Sequence, residues 1–414
     1  MGNRGAVLKS ETSAGPGERL WTWKFIVLIL INLSNGVAGF MTVPLVASYA
    51  MNLGAELTTA STVAGILSLV SLFMCPVAGV LSDRVNRKKL LVVTEIGYAA
   101  TLALHAFVPN IPGLMVVRGL TGVFFSIANV LTVAYASSYI PRKKMGEGLG
   151  YFSLVSPLAQ ALGPFLGLSL RDSMGYHMAF WGGAVATVIA LVCVAVLPYT
   201  EEAKWSQKKQ HSLHLKDVFA LEFLCLMLLT ALFSSANGLV STYLDILAGE
   251  RAIGNISLFF TVYSVALVIS KPFTGKLLDK KGLYIVVIPA VVFAALGMVL
   301  VGLAASLGLM LVAAVCKALG QGAGTPSIQA YTVKTLEPAR AGVAVSTIQI
   351  GQNLGNALAP IGGSFFVESF GYEAMFCGVG AFTLIAGMLL LVWYFKKNRS
   401  LGSELLEKEQ KLKG

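Results

Sequence analysis

The stretch Gly79-Val80-Leu81-Ser82-Asp83-Arg84-Val85-Asn86-Arg87-Lys88-Lys89 decides how the chain folds. It closes one long apolar run, sets four cations and one carboxylate in a short loop, and opens the next run. A weaker copy lies 196 residues on, Gly275-Lys276-Leu277-Leu278-Asp279-Lys280-Lys281-Gly282. The same offset pairs Pro76 with Pro272, Ala134-Tyr135 with Ala330-Tyr331, Gly146 with Gly342, Pro164 with Pro360, Gly167 with Gly363, and Gly175-Tyr176 with Gly371-Tyr372. Matched leucines would mean little in so apolar a sequence, but these matches fall on turn, breaker and charged positions. The chain is therefore an internal duplication. In each loop, a glycine one turn before the cations permits close helix approach. Asp83 and Asp279 at the membrane boundary can each meet a facing helix N-terminus or a buried arginine, acting as a latch. Asn86 stands where the copy has Gly282, and Asn is the next-best residue after Gly for positive φ.

Outward from the loop, the composition excludes a soluble enzyme. Of 414 residues, 56% are hydrophobic and 12% charged, with a mean hydropathy of +0.75. A single aqueous core stops growing near 250–300 residues, so lipid must serve as solvent. Twelve apolar runs reach the ~20 residues a helix needs to cross the hydrocarbon layer: 23–48, 57–81, 89–108, 111–138, 146–170, 176–198, 217–247, 254–278, 283–304, 306–333, 341–367 and 372–396. The expected fold is all-α and polytopic, with twelve transmembrane helices in two six-helix bundles related by pseudo-two-fold symmetry. The expected segments are a tail 1–22, a bundle 23–198, a linker 199–216, a bundle 217–396 and a tail 397–414. The first run is too long for a signal-peptide core and no cleavage site follows it, so it should stay attached.

The net charge of +11 invites a nucleic-acid reading, which position defeats. Of 31 basic residues, only Arg171 and Arg251 fall in loops on one side, while Arg118, Lys271 and Lys317 lie inside runs. The rest collect on the other side, which makes it cytoplasmic, both termini included. Five scattered cysteines suit neither a disulfide framework nor a zinc site, and His211 and His214 in the linker lack a third ligand.

The 79–89 loop resembles the signature G-x-L-[SA]-D-R-x-G-R-[RK] of the major facilitator superfamily. With twelve runs and a six-plus-six repeat, the resemblance covers nearly the whole chain. It implies a transporter working by alternating access, closest to the twelve-helix drug:proton antiporter group, with Gly79, Asp83, Arg84, Arg87, Gly275 and Asp279 as the conformational latch. Arg118-Gly119-Leu120-Thr121-Gly122 resembles that group's fourth-helix motif, R-x-x-x-G, which assigns Arg118 to proton coupling. Gly163, Pro164 and Gly167 resemble the antiporter motif G-x-x-x-G-P-x-x-G-G, incompletely, since Ala159 and Leu168 replace two of its glycines.

The residues themselves add the rest. A buried guanidinium at Arg118 should face a cavity and a carboxylate or carbonyl partner, and Lys317 is its cognate in the tenth run. Proton coupling needs a carboxylate that can be neutral in one state and charged in another. Glu95 and Asp245 are the carboxylates placed for it, and Glu147 and Glu222 read as interfacial. Asn35, Asn129, Tyr135, Gln160, Asn237, Lys317, Gln329, Gln349 and Asn353 are expected to line the substrate cavity, where amides suit neutral or zwitterionic groups. No P-loop, HExxH or GxSxG is present. The expectation is a non-enzymatic, monomeric transporter without cofactor, metal, nucleotide or nucleic acid, taking a small molecule and protons through a bacterial plasma membrane. Export by antiport is favoured by the Gly-Pro motif. Uptake of a polar metabolite stays open because the first run holds no acid, and so does movement of a lipid-like amphiphile.

Overall fold

A computed structural model describes residues 20–140, 145–197, 221–335 and 341–413. The expected 199–216 linker with its histidines, and the tail before residue 20, lie outside the described residues. Hydrocarbon cannot satisfy a peptide group, so each apolar run closes its backbone on itself as helix. In chain order these are α1 (Trp23–Asn52), α2 (Leu57–Arg84), α3 (Arg87–Leu104), α4 (Ile111–Tyr139), α5 (Met145–Met174) and α6 (Tyr176–Val196). The second half follows with α7 (Leu224–Glu250), α8 (Ser257–Lys281), α9 (Leu283–Leu303) and α10 (Leu307–Thr335). A last helical stretch, Ala341–Lys413, is broken at Gly371 (φ 80, ψ 171) into α11 (341–370) and α12 (372–413). Among the described residues nine stretches are long and apolar enough to cross a membrane, the last of them containing that break. α3 falls short because its 18 residues begin Arg-Lys-Lys and include Glu95, and α5 because small and polar residues dilute it.

The tight corners are cut by glycine. Gly175 (φ 86), Gly282 (φ 83) and Gly371 take the left-handed region and leave one residue between successive helices. Asn86, the counterpart of Gly282, does not. It sits at φ −54, ψ 110 and caps α3, its side chain accepting from the Lys89 amide at 3.1 Å. The expected positive-φ turn is thus replaced by an N-cap, a role Asn fills without strain.

Within the first half, α1 packs against α5 and α6, α2 against α4, and α3 against α6; in the second, α7 packs against α11, and α9 against α10 and α12. Between halves, α2 meets α11 and α5 meets α8, each pair being the other's counterpart under the repeat. An apolar cluster including Leu45, Tyr49, Val63, Leu239, Tyr243 and Phe376 joins the halves at the end opposite the basic loops. Toward the basic loops the clusters are separate, one around Leu28, Tyr135 and Phe152, the other around Leu226, Val287 and Tyr394.

Small residues set the seams. A Cβ on Gly163 would stand 2.6 Å from Phe40 Cβ and 2.9 Å from the Met41 nitrogen, and one on Gly167 would stand 2.7 Å from the Met41 carbonyl. The repeat builds the same seam from Gly355 and Gly363 against α7. By contrast, among the described residues nothing lies within 4 Å of a Cβ on Gly79 or Gly275. The close approach expected at the latch glycines is not seen among the described residues. Gly163→Ala should therefore destabilise the purified protein by about 1–3 kcal/mol, while Gly79→Ala should leave its melting temperature unchanged or raise it. Equal melting temperatures for the two variants would contradict the seam.

Candidate functional site

Three buried layers follow one another from the first half's interior to the rim. Asn110 caps α4 by accepting from the Gly113 amide at 2.8 Å, and Pro112 fixes its first turn. This helix carries Arg118 into the bundle, 1% exposed. Its Nη1 donates to Thr42 Oγ1 on α1 at 3.4 Å, and its Nε has no hydrogen-bond partner. The expected carboxylate or carbonyl partner is not there; a hydroxyl is. Glu95 on α3 is fully buried. Its Oε1 accepts from Asn35 Nδ2 at 2.6 Å and its Oε2 has no partner. Tyr98, one turn on from Glu95, is buried with its hydroxyl also unpartnered, and it feels the charges of both Glu95 and Arg118. His105, the C-cap of that helix, holds the Thr101 carbonyl through Nδ1 at 2.8 Å. Asn35, expected on the cavity wall, instead serves Glu95. Five buried side chains of this bundle, Asn35, Glu95, Tyr98, His105 and Arg118, each keep one polar atom without a hydrogen-bond partner among the described residues.

Between the halves lies a small cleft. Phe40, Val43 and Pro44 of α1 and Gln160 and Pro164 of α5 form one wall; Asn237, Val240 and Ser241 of α7, Phe259, Phe260 and Tyr263 of α8 and Lys317 of α10 form the other. Lys317, 3% exposed, donates to Asn237 Oδ1 at 3.0 Å and to Gln321 Oε1 at 2.9 Å. It lies 4.1 Å from the centre of the Tyr263 ring. The Tyr263 hydroxyl donates to Gln321 Oε1 at 2.8 Å, and Asn237 Nδ2 donates to Asn356 Oδ1 at 3.4 Å.

The rim farther from the basic loops is stitched across the halves. Arg171 at the end of α5 pairs with Asp245 of α7, whose Oδ2 also accepts from Ser48 Oγ at 2.9 Å. Thr58 donates to Glu368 at 2.5 Å. Ser61 and Tyr243 share a 2.6 Å hydroxyl contact, and Tyr243 donates to the Pro360 carbonyl at 2.5 Å. Asp245 thus stands in an inter-half ion pair at the rim, apart from the Glu95 and Arg118 interior.

The other expected residues scatter. Gln160, Asn237 and Lys317 do line the cleft. Asn129 and Gln349 are exposed on α4 and α11, and Gln329 is half-buried on α10. Asn353 hydrogen-bonds Cys75 of α2 across the halves. Tyr135 is packed in the first half's apolar cluster, edge-on to Tyr139 at 5.3 Å, rather than on the cleft. At the latch, the side chains of Asp83 and Arg84 lie outside the described residues, and Asp279 is exposed. Arg87 donates to the Ser82 carbonyl at 3.0 Å and the Ala134 carbonyl at 3.4 Å. Lys88 reaches the Ala195 carbonyl at 3.2 Å and the Leu197 carbonyl at 2.5 Å. These cations close helix C-termini, where the dipole favours them. Thr42, Tyr98, Tyr263 and Gln321 were not anticipated. Two had a signal, since Tyr98 is three residues from Glu95 and Gln321 four from Lys317, on the same helix faces.

The sequence matches the family model described as Major Facilitator Superfamily twice, over residues 28–254 and 226–413. Multidrug resistance protein MdtG of Proteus mirabilis is 29% identical over 328 residues, covering 74% of this chain and 79% of that protein. An uncharacterized MFS-type transporter of Methanocaldococcus jannaschii is 23% identical over 381 residues, covering 88% and 96%. Among solved structures, nucleoside transporter NupG superposes with a TM-score of 0.72 at 14% identity, over 91% of this chain and 100% of that one. A POT family transporter in complex with 5-aminolevulinic acid gives 0.76 at 15%, over 90% and 96%. At these identities the structural likeness is one of fold.

The rim geometry predicts that Asp245→Asn loosens the closed end. With Ser61→Cys as reporter in a background lacking the native cysteines, labelling by an impermeant thiol reagent should rise roughly fivefold, as about 1 kcal/mol of lost attraction gives. Exchanging the charges, Arg171→Asp with Asp245→Arg, should restore protection. Unchanged labelling in Asp245→Asn would remove the ion pair from the closure.

Proposed function

The chain belongs to the major facilitator superfamily, and from that premise we propose that it exports a small amphiphilic compound in exchange for protons by alternating access. That it is a multi-pass membrane transporter follows from the family and needs no proposal. Export is supported by the likeness to a multidrug resistance protein and by the Gly163-Pro164-Gly167 seam, although the matching seam against α7 tempers the latter. The two six-helix bundles, 23–198 and 217–396, joined by the 199–216 linker, rock as units. The basic side faces the cytoplasm of a bacterial cell with both termini. The stitched rim then faces outward, and this conformation is closed to the outside. Asp83, with Arg84 and Arg87 and their counterpart Asp279, latches the opposite closure. The unit of function is the monomer.

One observation carries the coupling: Glu95 is fully buried with a single amide donor and an unpartnered oxygen, in the same bundle as unpartnered groups on Tyr98 and Arg118. Protonating Glu95 removes a charge from an apolar interior and changes what the Arg118 guanidinium must be balanced against. A conformational equilibrium can draw on that difference, because a ligand shifts two states only by its differential affinity for them. Asp245, by contrast, is engaged at the rim. Proton-coupled uptake of a small polar metabolite remains the second reading, favoured by the lack of any acid on α1.

Reconstituted vesicles with an imposed pH gradient and a screen of labelled amphiphiles test the proposal. Wild type should accumulate substrate against its gradient in the antiport direction. Glu95→Gln should lose the dependence on the pH gradient while retaining substrate exchange, and Arg118→Ala should fall to background. Undiminished gradient dependence in Glu95→Gln, or accumulation in the symport direction, would overturn it.

A further inference from the structure

We infer that the transported molecule is an anion, an apolar body bearing one carboxylate, and that Lys317 is its anchor. The inference rests on the transporter reading but not on proton coupling. Lys317 sits mid-helix on α10, 3% exposed. It is too deep for its amine to reach either membrane surface, which removes snorkelling as the reason for it. α9 fixes its direction. A Cβ on Gly297 would stand 2.8 Å from the Lys317 backbone nitrogen, so the helices touch behind Lys317 and its side chain is turned to the cleft it lines.

The ammonium is well held and uncompensated. Asn237 and Gln321 accept two of its hydrogens and the Tyr263 ring covers it, but all three groups are neutral. Among the described residues no acid faces it from any element that forms the cleft. α1 and α10 contain no acid at all, and the carboxylates of α5 and α7 lie at helix ends, where Asp172 and Asp245 pair with Arg171 at the rim. On α8 the sole acid is Asp279, exposed at the basic end. An amine held among neutral acceptors in a water-poor site attracts an entering anion with little screening. Apart from Ser241, the remaining wall, with Phe40, Val43, Pro44, Val240, Phe259 and Phe260, suits an apolar body. Across the cleft, Gln160 of α5 offers an amide N–H, now donated to Ser156 Oγ at 3.2 Å, for a second oxygen. A ligand so placed would touch both halves.

The test uses three molecules of one shape, para-butylbenzoate, para-butylbenzamide and para-butylbenzylammonium. Each is titrated into the purified full-length protein at pH 7, where an unperturbed carboxylate is ionised. Wild type should bind the benzoate about tenfold more tightly than the amide, with the ammonium weakest. Lys317→Gln should lose the preference for the benzoate, and Lys317→Arg should keep it. If wild type binds the ammonium or the amide as tightly as the benzoate, or if Lys317→Gln retains the preference, the inference is wrong. Should Lys317→Gln fail to fold, the wild-type ranking decides alone. Binding needs no pH gradient, so a benzoate preference in a protein that shows no proton-driven transport would reject the antiport reading and leave this one standing.

Discussion

Hydrocarbon offers a polypeptide no hydrogen bonds, and the rest of the structure follows from that. Every crossing has to be helical, and every charge kept inside needs a reason to be there. The chain keeps few, and it uses them differently in each half. In the first, Glu95 and Arg118 lie in one bundle, each short of one hydrogen bond, with Tyr98 within reach of both charges. In the second, Lys317 stands against neutral oxygens and an aromatic ring at the edge of a cleft. An asymmetry of that kind in a duplicated fold divides the work, with one half suited to hold a proton and the other to hold a ligand.

What lets two such halves move is where they touch. Within a half, α1 lies on α5 and α7 on α11 so closely that a single added methyl would collide with backbone. Those seams bind each half into a unit. Between halves, α2 lies on α11 and α5 on α8, and at the rim the described contacts are a few hydroxyls, one ion pair and an apolar cluster. An ion pair that is partly solvent-exposed contributes little. The rim contacts thus hold this conformation without a large interaction energy.

The architecture was legible in the sequence because hydropathy and the repeat of breakers are properties of single positions. Pro164 and Pro360, Gly175 and Gly371, and the two loops at 79–89 and 275–282 gave the duplication before any contact was known. The site was legible only in part. Glu95, Arg118, Asn237, Gln160 and Lys317 announce themselves as polar residues in apolar runs, but which of them share a neighbourhood depends on helix rotation, which apolar surroundings do not encode. Asn35 therefore looked like a cavity residue and proved to be the partner of Glu95. Tyr135 looked like a lining residue and proved to be core. Tyr263 carried no signal at all, being one aromatic among many. At Gly79 no described neighbour stands within 4 Å of an added Cβ, so this conformation gives its small size no packing role.

The account requires the two ends to open in opposition. Spin labels on Asn52 and Glu250 at the stitched rim, and on Val85 and Lys280 at the basic end, report both gaps by pulsed dipolar spectroscopy in the same protein across a pH titration. The rim distance should lengthen as the basic-end distance shortens, with two populations exchanging weight at one midpoint. Distances that change together, or a rim that stays closed throughout while substrate is still transported, would contradict alternating access.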